Sequence, residues 1–169
     1  MKKRIWSSLA IVVTLGTLIM SGQFSPVIAK EPSILEFDSM VGVTQAFTGA
    51  QNPIRGINGG GLPWVIGSGQ GELKASGELE INVQGLVLAA GANTGSNPVA
   101  NFRAIVSCLT SNGGVVNVST GLFPATTGPA SLGGGDAKIE ATLSLPQPCI
   151  APLVFVTNPG GSWFATIGN

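Results

Sequence analysis

The sequence predicts an all-β fold, an antiparallel β-sandwich of about eight or nine short strands. Three observations carry this reading. Apolar and polar residues alternate with a period of two over several runs, as in strands with one buried and one wet face. Glycine and proline, 25 and 11 of the 169 residues, punctuate the chain at strand-length intervals after residue 30. No run carries a long helical period, so nothing offers the helical crossover that parallel strands need. A small β-barrel meets the same three conditions and stands as the alternative.

Residues 1–29 read as an export signal and residues 30–169 as a single β-sandwich domain. Lys2, Lys3 and Arg4 form a positive start, and an uncharged, mostly apolar run continues to Met20. Val27-Ile28-Ala29 then presents small or tolerated residues before a cut at Lys30. An uncleaved membrane anchor is the competing reading, because no charge falls between Ile5 and Ala29. Ser7, Ser8, Thr14, Thr17 and Pro26 weaken it as a span, which wants about 20 mostly apolar residues. Cleavage would leave a secreted or cell-envelope domain with no stable membrane insertion. From residue 30 onward five bases face eight acids, a formal charge of −3. Scattered bases with a mild acidic excess argue against a nucleic-acid or anionic-membrane surface.

Within the domain, residues 34–43 (ILEFDSMVGV) read as one strand with Leu35, Phe37 and Val41 inward. Residues 45–61 are the loosest stretch, holding Asn52-Pro53 and three consecutive glycines at 59–61. Residues 62–66 make a short strand with Pro63 at its start or on an edge. A hairpin over 71–88 turns at Ser76-Gly77, and Leu79, Ile81 and Val83 alternate there with Glu78, Glu80, Asn82 and Gln84. Residues 101–120 form the centre of the fold, two strands joined by Ser111-Asn112-Gly113-Gly114. Phe102, Ala104, Val106 and Cys108 share one face; Arg103, Ile105, Ser107 and Leu109 share the other. Apolar groups on both faces mark a central strand. Residues 121–135 read as a surface loop. Residues 137–145 alternate most cleanly and stop before Pro146 and Pro148. A last hairpin over 152–167 turns at Asn158-Pro159-Gly160-Gly161.

Cys108 and Cys149 are the only cysteines. In an exported chain they are expected to pair, pinning the last hairpin to the central one. Two buried free thiols are the rival reading.

The chain has no histidine and no tyrosine. That removes a Ser-His-Asp triad, a Cys-His pair and His-ligated zinc or copper. No catalytic residue, metal site or cofactor is read from the sequence. Paired carboxylates are the remaining catalytic option. Glu36 with Asp38, and Glu78 with Glu80, each share a strand face, because residues i and i+2 point the same way. A solvated outer face accounts for both pairs equally well. Asp136, after Gly133-Gly134-Gly135, is one acid where a calcium site needs several. Sugar rings stack on exposed aromatic side chains. Trp64, beside the glycine loop, is the one candidate ligand-binding residue, with core or edge packing as its alternative. Trp163 alternates with Ala165 and Ile167 and reads as core.

The runs GLPWVIGSGQGELKASGELEINVQGLVL, NPVANFRAIVSCLT and LPQPCIAPLVFVTNPGGSWF resemble those of short exported bacterial β-sandwich proteins that carry no assigned function. The resemblance spans most of residues 30–169 and implies a shared β fold and export, with no catalytic motif. A weaker likeness is to the chordin-type CHRD domain, an extracellular β module. It rests on Phe47-Thr48-Gly49-Ala50-Gln51, a glycine-bearing hairpin and Gly85-Leu86. Those domains typically carry a histidine motif after that Gly-Leu, which this chain lacks. The expected function is that of an exported, non-enzymatic structural or binding module of unknown ligand, facing a cell-surface or extracellular partner. A carboxylate-dependent hydrolase, such as a glycosidase, or a carbohydrate-binding module is the alternative.

Overall fold

The computed structural model describes residues 31–167, so the export-signal reading of 1–29 lies outside the described residues. In chain order the strands are β1 (Ser33–Phe37), β2 (Met40–Gly42), β3 (Trp64–Val65), β4 (Ser68–Lys74), β5 (Glu78–Gln84), β6 (Val87–Leu88), β7 (Ser96–Asn97), β8 (Asn101–Leu109), β9 (Val115–Ser119), β10 (Phe123–Pro124), β11 (Gly128–Pro129), β12 (Ala137–Thr142), β13 (Ile150–Thr157) and β14 (Trp163–Ile167). Nine of them run three residues or more, and no α-helix occurs among the described residues. A four-stranded sheet has the order β1-β4-β5-β12. A six-stranded sheet has the order β10-β8-β13-β14-β2, with β9 also paired to β8. All pairings between strands are antiparallel, and the two sheets pack against each other without closing into a barrel.

The alternation in the sequence becomes the inter-sheet core. Leu73, Leu79, Ile81, Val83 and Ile139 point inward from the four-stranded sheet and are buried. Phe102, Ala104, Val106 and Cys108 on β8 are fully buried, as are Val154, Val156 and Ala165 on the neighbouring strands. Burying a side chain of Leu, Ile or Phe size contributes about 1.5–3 kcal/mol. The Cys108–Cys149 disulfide joins the end of β8 to the residue before β13, with Cα atoms 4.9 Å apart. Three hairpins share one turn. The fourth residue donates its N–H to the first residue's carbonyl in Lys74 to Gly77, Thr110 to Gly113 and Asn158 to Gly161, and each closing glycine has positive φ.

Three expectations from the sequence are corrected by the fold. Residues 34–43 are two strands, because the chain bends at Asp38-Ser39 and passes from the four-stranded sheet to the six-stranded one. The bend reverses the alternation: Met40 and Gly42 are buried, whereas Val41 is 52% exposed. The loop over 121–135 contains β10 and β11. β10 pairs with β8, and Ala125 bridges to Ala137 of β12, so this segment links the two sheets along one side.

Residues 45–61 are the third correction. They are not loose but folded over the outer face of the six-stranded sheet. Phe47 lies 6.2 Å from Trp163, ring centre to ring centre, and Trp163 lies 6.1 Å from Phe155. Trp163 N–H donates to Asn58 O, and Gly60 N–H donates to Trp163 O. Arg55 and Gly56 both have positive φ in a tight turn closed by Ile54 and Ile57. That turn aims the Arg55 side chain at a bulge in β13. Ala151 has positive φ there and Pro152 has no N–H to offer the ladder. Arg55 donates to Ser107 O and Ala151 O instead, each at 2.8 Å, and Asn117 Nδ2 donates to Arg55 O at 3.1 Å. One guanidinium thus ties the covering segment to β8 and β13.

Candidate functional site

The outward positions of the four-stranded sheet carry seven of the twelve charged side chains among the described residues. The register sets Glu36 opposite Glu72, Glu72 opposite Glu80, and Glu80 opposite Glu140. One glutamate from each strand therefore stands in a single row across the sheet. Directly opposed side chains sit about 4.5–5.5 Å apart at Cβ, and opposed like charges are unfavourable. The neighbours offset part of that repulsion. Lys138 Nζ reaches Glu140 at 2.6 Å and Glu80 at 3.3 Å. Lys74 Nζ reaches Glu78 at 2.8 Å, and Ser33 Oγ donates to Glu72.

Hydrogen bonding to Glu140 and then to Glu80 raises the Lys138 pKa, and the bond to Glu78 raises that of Lys74. A raised lysine pKa stabilises the fold at ordinary pH. That contribution is lost only in alkali, as the pH climbs through the raised value. Both lysines are solvent-facing, so the pairs are worth little at neutral pH.

Next to the glutamate row run Gln70, Asn82 and Lys138, again in register. Beyond them Ser68 donates to Gln84 Oε1 at 3.1 Å. Asp136 accepts from Gly85 N–H at 2.8 Å, which fixes the chain where it leaves β5. Two shallow, open depressions mark this face. One, of about 370 Å³, lies among Glu78, Glu80, Glu140 and Thr142. The other, of about 450 Å³, lies among Gln70, Asn82, Gln84 and Lys138.

Glu36 stands in the row, and Asp38 lies past the end of β1 at the bend, exposed. The carboxylate brought beside Glu36 is Glu72. Sequence reasoning missed Glu72 although it alternates with Leu73, because cross-strand register is not written in either strand alone. Glu78 and Glu80 take the outer face, as their alternation requires. Trp64 corrects the sugar-stacking expectation. It is 4% exposed, and its ring stacks on Phe164 with centres 3.8 Å apart. Pro63 suggested an edge, but Trp64 N–H bonds to Val43 O and draws the ring into the core. Trp163 is buried as expected, but a register shift sets it opposite Thr157 on the outer face, under the covering segment, while Ala165 faces the core opposite Val156. Among the described residues no three His, Cys, Asp or Glu side chains are gathered to hold a metal ion.

No family model, no curated protein and no solved structure matches the chain.

Proposed function

We propose that this chain is an exported, non-enzymatic structural or binding module, with the outer face of the four-stranded sheet as its polar contact surface. One observation carries the reading. The carboxylates are strung along an open sheet face, where Glu80 and Glu140 remain 51% and 59% exposed as side chains. Hydrolysis by paired carboxylates depends on a cleft that buries one of them beside the scissile bond. An exposed row suits contact with a polar or charged extracellular partner. The disulfide is consistent with an oxidising compartment.

A specific observation keeps the hydrolase as the second reading. Glu36 and Glu72 are direct cross-strand neighbours, which sets two carboxylates side by side, the residue pair that glycosidases use. A panel of chromogenic glycosides separates the two. The module predicts no turnover above buffer. Turnover abolished by Glu36→Gln would establish the hydrolase in its place. Export makes its own prediction: N-terminal sequencing of the protein released outside the cell should begin at Lys30. Recovery of intact Met1 in a membrane fraction would replace the signal with an anchor.

A further inference from the structure

The two sheets have four edges, and three are protected against pairing with another chain. β1 carries a bulge between Ser33 and Leu35 and bears Glu36. β12 bears Lys138 and Glu140. β2 is three residues long, and the Trp64 backbone lies against its Gly42. Charges, bulges, shortness and cover are the devices that keep sheet edges from associating.

β9 has none of them. Its residues are Val115, Val116, Asn117, Val118 and Ser119, without charge, proline or bulge. Thr110 N–H bonds to Gly114 O and Thr120 N–H to Ala104 O, which fixes the alternation of the β8–β9 ladder. Gly114, Val116, Val118 and Thr120 therefore turn their backbone groups toward β8. The N–H and C=O groups of Val115, Asn117 and Ser119 point outward. The side chains tell a second story. Val116 stands opposite Cys108 and Val118 opposite Val106, on the face that is fully buried in β8. Yet Val116 is 37% exposed, so at this edge it extends past the cover that buries Cys108 and Val106.

We propose that β9 pairs antiparallel with β9 of a second copy of this chain, about a twofold axis at Asn117. That register is self-complementary. Asn117 meets Asn117, Val115 meets Ser119, and Val116 of one copy lies beside Val118 of the other on the same face. The outward backbone groups of both copies are satisfied, and these valines cover each other. Charge favours the same edge. No charged residue occurs from Ala104 to Gly135, whereas the negative four-stranded sheets remain outside the contact. Two five-residue strands make a small interface, so the dimer is reversible and dissociates on dilution.

Sedimentation of the protein obtained from the full chain, over about 1 μM to 1 mM, tests this. The expected result is a monomer–dimer equilibrium. Asn117→Pro deletes an N–H that β8 does not use and should leave a folded monomer. Asn117→Ala removes the same side chain but keeps that N–H, and should still dimerise. If Asn117→Pro does not melt cooperatively, Val116→Lys takes its place and should weaken association at least tenfold. Wild-type protein that stays monomeric at the highest concentration overturns the proposal, whether or not a different protein binds the edge. So does a folded Asn117→Pro or Val116→Lys variant that dimerises as tightly as wild type.

Discussion

Cys149→Ala should destabilise the protein by about 4 kcal/mol, from the unfolded-chain entropy released when a loop of 41 residues is no longer closed. For a domain of this size that corresponds to a fall in melting temperature of roughly 10 °C. The bridge joins β8, whose Cys108 is fully buried, to the chain just before the β13 bulge. Cys108→Ala breaks the same bond, and the double variant should lie within about 1 kcal/mol of either single one. Reductant should lower the melting temperature of the wild type by a similar amount and leave the double variant unmoved. Two thiols that alkylate in the native, non-reduced protein would remove the bridge from this account.

Gly77→Ala and Gly113→Ala form a matched pair with very different expected costs. Both glycines close the same turn, with φ of +91° and +79°. Around Gly113 an added Cβ meets nothing within 4 Å. Gly113→Ala should therefore report the dihedral alone, about 1–2 kcal/mol. At Gly77 the same Cβ would stand 1.9 Å from Leu143 O. That carbonyl cannot simply retreat, since Leu143 N–H donates to Gly77 O and holds the two backbones together. Gly77→Ala must separate the β4–β5 turn from the chain leaving β12, adding about 1–3 kcal/mol or more of overpacking. Urea denaturation of the two variants measures the difference directly. Equal losses would show that the strand-end contact yields without cost.

Much of this architecture could be read before the fold was seen. Alternation identified the inward faces of β5, β8 and β12, because one residue in two must enter the core. Glycine-bearing turns located the hairpins, and two cysteines left one intramolecular pairing. Other features depend on neighbours distant in sequence. The break at Asp38-Ser39 is hidden because residues 34–43 read as one continuous strand; only pairing with β4 and then β14 shows the change of sheet. The glutamate row arises from three registers, each between a different pair of strands. Arg55 looks like a lone solvated base in a glycine-rich loop. Its role follows from a bulge nearly a hundred residues later, at Ala151.

The crossing at Asp38-Ser39 also governs when the fold can form. Gly42 of β2 lies opposite Ala165 of β14, so one of the first strands made has its partner more than a hundred residues later. A polypeptide emerges N-terminus first, at about 5–20 residues per second. The β4–β5 and β8–β9 hairpins can close as soon as their turns appear. β2 must wait for nearly the whole domain, with Met40 still unburied. Completion of the larger sheet is therefore a late step, dominated by a long loop closure. A chain halted before residue 163 would retain its hairpins and lack the strand that holds β2 in place.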